Sequence, residues 1–203
     1  ALLNFRAMPN MLTIRPADAN EVSGAYMVAL ENRERGPSVI ALSRQGCPNL
    51  ATSSPEAVRS GAYVVSKPEG GAALQLVMVG TGSEVSLLLS AMPALAEAGL
   101  AAVQLVSMPC WALDGGQAVA SKRAVFPPGG PVLACEALCS EGWGKYAHAV
   151  IGMSTFGASA PGKDLNKKFG FTVENVVAKA KAVTAFYAGR AVPDLLETTF
   201  IER

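Results

Sequence analysis

The pattern of apolar and polar positions at the start of the chain predicts a strand, a helix and a second strand. The apolar run at residues 11–15 predicts a short strand, which Pro16 ends. Asp18 stands three residues before Glu21, the spacing of a helix N-terminal capping box, and apolar residues follow at helical spacing. The apolar run at residues 38–43 predicts a strand buried on both faces. Two strands around a helix of this length fit one right-handed βαβ unit.

A second series of strands and helices starts near residue 72 and predicts an α/β sheet of four or five strands. Apolar runs predict its strands at residues 72–79, 101–107, 131–136 and 149–153. Helical spacing and capping residues predict helices from residue 85 onward and at residues 117–125, 142–148, 162–169 and 173–187. We expect Pro93 to kink or shorten the first of these helices and Gly99 to end it.

Turn-forming residues separate the two series. Residues 45–70 contain many Gly, Pro and Ser, which is typical of a connector, although residues 62–66 fit a short strand. We therefore predict an incomplete first unit at residues 1–50, a linker at 51–70, a domain at 71–190 and a tail at 191–203. The first unit is too small to cover its own sheet edges and apolar faces, so we expect it to be the end of a larger folded unit.

Composition and charge exclude several classes of protein. Half of the 203 residues are apolar, which provides a sizeable core and excludes a disordered chain. Lys and Arg number 17 against 16 for Asp and Glu, and no basic cluster points to nucleic acid. The longest apolar stretch, residues 72–80, is too short to cross a membrane, and we expect neither a signal peptide nor a peroxisomal signal. Because the chain starts with Ala rather than Met, we expect it to be a cleavage product or an excised part of a longer polypeptide.

The sequence contains few candidates for catalytic chemistry. The four cysteines, Cys47, Cys110, Cys135 and Cys139, are predicted to be free thiols, since nothing indicates an oxidising compartment. Cys110 has no basic neighbour in the sequence that would activate it. Cys135 and Cys139 with the single histidine, His148, lack the second close pair of ligands typical of a structural metal site. We therefore predict no metal there and interpret His148 as structural.

The turn at residues 80–84 (GTGSE) partly resembles a dinucleotide-binding turn between a strand and a helix. Gly80 and Gly82 match that pattern, but Val85 stands where a third glycine is needed, and no acidic residue ends the next strand. We interpret the turn as structural. A weak anion site at the N-terminus of the following helix stays open as an alternative.

Arg44 is the most suggestive single residue. It directly follows the predicted strand 38–43, and ligands of open α/β sheets bind at the carboxyl ends of strands. A guanidinium group there can hold a phosphate through two parallel hydrogen bonds. From position alone, however, an ordinary surface ion pair is the simpler interpretation.

Local sequence strings resemble the transketolase family. Residues 15–21 (RPADANE) and 41–45 (ALSRQ) resemble the end of the transketolase pyrimidine-binding domain, and residues 80–87 (GTGSEVSL) resemble the opening of its C-terminal domain. Further strings follow in the family's order and spacing at residues 142–148 (GWGKYAH), 156–159 (FGAS), 169–172 (FGFT) and 185–187 (AFY). The resemblance covers nearly the whole chain, from about Asn4 to Tyr187.

The resemblance implies a fold and an activity. It implies a Rossmann-like C-terminal domain, a mixed or parallel sheet flanked by helices, after a partial βαβ piece. The family implies a homodimeric, cytoplasmic enzyme of the pentose phosphate pathway that uses thiamine diphosphate with Mg²⁺ or Ca²⁺. Such enzymes transfer a two-carbon ketol unit between sugar phosphates. Arg44 matches the family's substrate phosphate ligand.

No catalytic, cofactor-binding or metal-binding residue of the family maps onto this chain. The resemblance places the activating glutamate, the metal ligands and the substrate-facing histidines before Ala1, so we expect the chain alone to be inactive. Residues 46–48 (GCP) replace the family's usual Asn-Leu-Pro, which makes the loop after Arg44 atypical.

Two alternatives remain at this point. One is another thiamine enzyme, such as a 1-deoxyxylulose-phosphate synthase or a 2-oxo-acid dehydrogenase β subunit, against which the strings SRQ and WGKYAH argue. The other is a non-catalytic dimerisation or regulatory module that binds an anion at residues 80–84.

Overall fold

The computed structural model describes residues 2–68, 70 and 73–196. The chain begins with helix α1 (Leu2–Ala7), strand β1 (Leu12–Ile14), helix α2 (Ala19–Glu31) and strand β2 (Ser38–Ile40). β1 and β2 pair in parallel, as the predicted βαβ unit requires. Both strands are shorter than their apolar runs, and β2 is only half-buried, so the predicted burial on both of its faces was wrong. Helix α1 was not expected because its few residues show no helical periodicity.

The second sheet has five strands. They are β3 (Tyr63–Ser66), β4 (Leu76–Gly80), β5 (Val103–Ser107), β6 (Val132–Cys139) and β7 (Ala149–Met153). The order across the sheet is β3-β5-β4-β6-β7, with β3 antiparallel to β5 and the remaining pairs parallel. This arrangement confirms the predicted α/β class. The division into domains stays a prediction, and β3 lies inside the segment predicted as a linker.

Helices connect and flank the strands of this sheet, and the first and last of them pack directly on it. The helices are α3 (Glu84–Glu97), α4 (Trp111–Gly115), α5 (Val119–Val125), α6 (Gly162–Phe169) and α7 (Val173–Tyr187). Short 3₁₀ helices lie at Glu56–Ser60 and at Trp143–Lys145, the latter inside the predicted helix 142–148. α3 continues through Pro93, so the helix is not shortened there, and the alternative of a kink stays a prediction. The helix ends just before Gly99, whose φ is +87°. The short helix α4 was not predicted.

Apolar side chains cover both faces of the five-stranded sheet. On one face, Met78 of β4 packs with α3 and α7, and on the other, Val79 packs with Trp111 and Trp143. All five residues of β4 are buried, which explains its continuous apolar sequence. A third cluster joins Ile14 of the first sheet to Val58 and Cys110. The rest of the chain therefore covers part of the apolar surface that the first unit cannot bury by itself.

Two predicted helix caps are present. Asp18 accepts a hydrogen bond from the backbone N–H of Glu21 at 2.9 Å, and Thr172 accepts one from Asn175 at 3.3 Å. Among the described residues, no helix is long and apolar enough to span a membrane.

Candidate active-site cleft

A cleft of about 400 Å³ lies between the first unit and the five-stranded sheet. Its walls include Arg15 directly after β1, the loop at residues 42–45 after β2, and the start of α3 with Ser83 and Glu84. These segments follow the carboxyl ends of β1, β2 and β4. The cleft therefore lies where open α/β sheets bind ligands, and it contains Arg44, the residue predicted from the sequence.

Arg15 is held on one side of this cleft by a buried polar network. Its Nη1 donates to Thr81 Oγ1 at 2.7 Å, to Glu84 Oε2 at 2.8 Å and, more weakly, to Glu136 Oε1 at 3.4 Å. Burial alone would lower the pKa of Arg15, but the carboxylates of Glu84 and Glu136 raise it above its usual value. Arg15 is therefore a charged group whose partners already belong to the protein.

Glu136 is the centre of the network. Arg6 donates to it through both terminal nitrogens, at 2.8 and 2.6 Å, and Thr81 Oγ1 donates at 2.6 Å. Trp143 Nε1 donates a further hydrogen bond at 2.9 Å, in addition to the weak one from Arg15. Burial pushes the pKa of this carboxyl group upward, but the hydrogen bonds and charge of Arg6, with Thr81 and Arg15, hold it below its usual value.

The glycine turn after β4 packs against the same network. Gly82 has a φ of +56°, its N–H donates to the carbonyl of Arg15 at 3.0 Å, and a Cβ added there would lie 3.1 Å from the Arg15 guanidinium. The side chain of Glu84, in the first turn of α3, accepts from Arg15 and from the backbone N–H of Ala137. Arg15 thus fills the space in front of this turn. This contact favours the interpretation of the turn as structural.

Arg44 has different surroundings. It is exposed at a bend in the loop after β2, and it has no hydrogen-bond or ion-pair partner within residues 2–68, 70 and 73–196. The surface ion pair considered for it is therefore not formed in the described part of the chain. Its guanidinium group is available to an anion that enters the cleft.

Glu21 has a role beyond the helix cap predicted from its spacing. One carboxylate oxygen accepts from Tyr63 at 2.7 Å and from Ser107 at 2.5 Å, and the other accepts from the backbone N–H of Ala17 at 2.7 Å. The side chain thereby links α2 to β3 and β5. Burial raises its pKa above the usual value, although the hydrogen bonds oppose that shift. No sequence signal indicates these partners, which lie 42 and 86 residues away.

The cysteines and His148, the other candidates from the sequence, show no arrangement typical of a catalytic site. All four cysteines are free, as predicted, and burial raises the pKa of the Cys110 thiol. Nδ1 of His148 accepts from the backbone N–H of Val132 at 3.0 Å, and Nε2 lies 3.0 Å from the carbonyl oxygen of Pro193. In the part of the chain that the structure describes, no group of three or more His, Cys, Asp and Glu side chains is arranged to hold a metal ion.

Comparison with known families shows the family to which the chain belongs. Residues 61–172 match the family model of the transketolase-like C-terminal domain, and residues 2–49 match that of the transketolase pyrimidine-binding domain. The chain belongs to the transketolase family. The resemblance found in the local strings is thereby confirmed, and no comparison favours a different thiamine enzyme or a separate regulatory module.

Individual transketolases match nearly the whole chain. It is 42% identical over 202 residues to the transketolase of Kluyveromyces lactis, covering 98% of this chain and 29% of that protein. It is 43% identical over 185 residues to the chloroplastic transketolase of Zea mays, covering 89% of this chain and 27% of that protein. The chain therefore spans less than a third of the length of these relatives.

Solved transketolase structures confirm the fold. A transketolase from Leishmania mexicana superimposes with a TM-score of 0.87 at 46% identity, covering 95% of this chain and 28% of the other. A Pichia stipitis transketolase in complex with sedoheptulose-7-phosphate superimposes with a TM-score of 0.90 at 37% identity, covering 98% of this chain and 29% of the other.

Proposed function

We propose that this chain is the C-terminal part of a transketolase that transfers a two-carbon ketol unit between sugar phosphates, and that Arg44 binds the substrate phosphate. The observation that carries the proposal is the exposed guanidinium of Arg44, which lies in a cleft at the carboxyl ends of the strands and has no partner among the described residues. Its family supplies the reaction, and one solved relative is a complex with a sugar phosphate. The full-length enzyme is proposed to be a cytoplasmic homodimer of the pentose phosphate pathway.

The proposal assigns the cofactor to other parts of the full-length enzyme. Thiamine diphosphate, with Mg²⁺ or Ca²⁺, supplies the bond-forming chemistry in this family. The carboxylate of Glu84 in this cleft is already hydrogen-bonded to Arg15 and to the backbone of Ala137, so it does not fit a metal ligand. The donor set of the described cleft suits an anionic substrate group instead, and the chain alone is proposed to lack ketol transfer.

The role of Arg44 follows from the geometry of its guanidinium group. A planar fork can donate two parallel hydrogen bonds to a phosphate, which a single ammonium group does not reproduce. Arg15 also lines the cleft, but its hydrogen bonds go to Thr81 and Glu84 and its charge is balanced by Glu84 and Glu136. Arg44 is therefore the residue on which recognition of the phosphate depends.

Arg44→Ala in the full-length protein tests this proposal. We expect the KM for phosphorylated sugars to rise about 10- to 150-fold, since a lost hydrogen bond to a charged group costs roughly 1.5–3 kcal/mol. The KM for unphosphorylated sugars should change far less, and Arg44→Lys should fall between wild type and Arg44→Ala. Arg35→Ala, which removes another exposed arginine that does not line the cleft, serves as the control. An equal loss for both kinds of sugar would remove the phosphate role.

A further inference from the structure

The segment at residues 190–196 lies over the edge of the five-stranded sheet where β6 and β7 begin. We call it the C-terminal strap. Its residues 193–196 form one side of a small cavity, and the other side consists of residues 126–130, 132, 145, 146 and 148. The cavity measures about 20 Å³, which is room for about one water molecule, so the strap nearly fills the groove beneath it. This groove is at the opposite end of the strands from the Arg44 cleft.

An ion pair, a histidine and apolar packing hold the C-terminal strap on this groove. Arg123 Nη2 of α5 lies 3.0 Å from Asp194 Oδ2. His148 Nε2 lies 3.0 Å from the carbonyl oxygen of Pro193. The side chains at residues 195 and 196 are half-buried against the groove. The strap therefore has a defined position on the sheet.

His148 bridges the C-terminal strap and the sheet. Its Nδ1 accepts a hydrogen bond from the backbone N–H of Val132, the first residue of β6, at 3.0 Å. Because a backbone N–H can only donate, Nδ1 presents a lone pair, and Nε2 then carries the hydrogen that the Pro193 carbonyl accepts. The ring also packs edge-on against Tyr187 of α7, with 5.3 Å between the ring centroids. One neutral tautomer alone joins this donor to this acceptor.

Protonation of the ring breaks this bridge at the end that is tied to the sheet. A hydrogen on Nδ1 faces the N–H of Val132, so two donors meet and the hydrogen bond between them is lost. Nε2 still donates to Pro193, but the ring is then no longer tied to β6. The strap is therefore held less firmly by the charged ring than by the neutral one.

The charged groups that surround the ring do not compensate for this lost hydrogen bond. Lys145 and Asp194 line the same cavity as the ring. The carboxylate of Asp194 is already paired with Arg123, and Lys145 adds a further positive charge, so an additional cation gains little attraction there. The neighbouring phenol groups of Tyr146 and Tyr187 belong to a residue type that is ordinarily uncharged near neutral pH.

We propose that His148 is a pH-sensitive latch for the C-terminal strap, which the neutral ring holds on its groove and the protonated ring loosens. His148 is the single histidine among the 203 residues. Imidazole groups ordinarily titrate near pH 6.5, so the latch operates between about pH 5.5 and 7.5. This conformational device is separate from the phosphate site proposed at Arg44.

Hydrogen–deuterium exchange of the full-length protein, followed by mass spectrometry between about pH 5.5 and 8, tests the proposal across the ordinary titration range of imidazole. Labelling times are scaled to the intrinsic amide exchange rate at each pH, so that the remaining differences report on structure. We expect peptides that contain Val132 or residues 190–196 to lose protection by about fivefold as the pH falls, the effect of one lost hydrogen bond. The buried part of α7 around Val176 and Ala180 should keep its protection. Unchanged protection of the strap, or an equal loss in α7, would overturn the proposal.

Variants at two positions separate the latch from the rest of the strap's contacts. His148→Asn does not titrate and is too short to reach Pro193, so its strap should be loosened at pH 8 as well and should show no pH dependence. His148→Gln takes its place if that variant fails to fold. Arg123→Met is the matched control, because it removes the ion pair with Asp194 and should loosen the strap at every pH while keeping the pH dependence. A pH dependence that persists in the His148 variants, or that Arg123→Met abolishes, would also overturn the proposal.

Discussion

Arg15 and Arg44 line the same cleft, yet their guanidinium groups have opposite surroundings. Arg15 is buried and donates to Thr81, Glu84 and Glu136. Arg44 is exposed and has no partner within residues 2–68, 70 and 73–196. An arginine whose hydrogen bonds are satisfied by the protein, such as Arg15, supports the structure. An arginine whose hydrogen bonds are not satisfied, such as Arg44, is available to a ligand.

The network around Arg15 joins segments that are far apart in sequence. Arg6 and Arg15 precede and follow β1, whereas Glu84 and Glu136 belong to α3 and β6. Buried charges are tolerated only when each has a close partner, so the network constrains how the first unit meets the five-stranded sheet. Arg44 cannot contribute in this way and remain available to a ligand.

The largest effect is expected for Glu136→Gln, which removes the negative charge that Arg6 and Arg15 share. Breaking a buried ion pair from one side typically costs about 3–5 kcal/mol, because the remaining charge stays buried without compensation. Denaturant unfolding of the variant and the wild type should show this loss in the free energy of unfolding. Glu97→Gln, an exposed glutamate at the end of α3, is the matched control. A change no larger than that of the control would show that the network contributes little to stability.

A smaller, pH-dependent effect is expected for Glu21→Gln. An amide at this position accepts through one oxygen only, so one of the donors Tyr63, Ser107 and the N–H of Ala17 loses its partner, at a cost of about 1–3 kcal/mol. Because the folded pKa of Glu21 is raised, the wild type loses stability as the pH rises from the usual carboxyl value of 4.5 through the folded value. The variant lacks this loss.

The difference in unfolding free energy between wild type and Glu21→Gln should therefore shrink as the pH rises, and unfolding curves at several pH values measure it. Glu136 should act in the opposite direction. Its folded pKa is lowered, so its contribution is present above 4.5 and is lost as the pH falls through the folded value. If the stability differences of Glu21→Gln and Glu136→Gln from the wild type changed in the same direction with pH, the opposite pKa shifts of the two glutamates would be contradicted.

The smallest effect on stability is expected for Arg44→Ala. An exposed side chain without partners contributes little to folding, so the free energy of unfolding should change by no more than about 0.5 kcal/mol. Thermal and denaturant unfolding of the variant used for the kinetic test would measure this. A loss above about 1 kcal/mol would indicate that Arg44 has a structural partner in the full-length protein.

Several features could be predicted because they depend on residues close in sequence. The strand β4 follows a continuous apolar run, since a parallel strand buried on both faces excludes most polar side chains. The strands β5 and β7 also follow mainly apolar runs, although β5 contains the buried polar residues Gln104 and Ser107 and most of β7 is only half-buried. Asp18 and Thr172 cap their helices through backbone N–H groups three residues away. The position of Arg44 after a strand was sufficient to place it in the cleft.

The shorter elements were harder to predict. α1 and α4 contain six and five residues, too few for a helical pattern to repeat, and tertiary contacts rather than periodicity stabilise them. α3 continues through Pro93, where the sequence alone predicts a kink or an earlier end of the helix. Packing of the helix against the sheet and α7 offsets the local cost of that proline.

The sequence by itself determined the α/β class, the order of most strands and helices, the two caps and, through its local strings, the family. Only the tertiary structure showed that Arg15 is paired and that Arg44 has no partner among the described residues, because in the sequence both are arginines at the end of an apolar run. It alone brought Arg6, Glu84 and Glu136 together across 130 residues and gave Glu21 its partners on the sheet. The physical reason is that caps and periodicity involve neighbours within about one helical turn. The partner of a buried charge, by contrast, depends on which distant segments the packed core brings into contact.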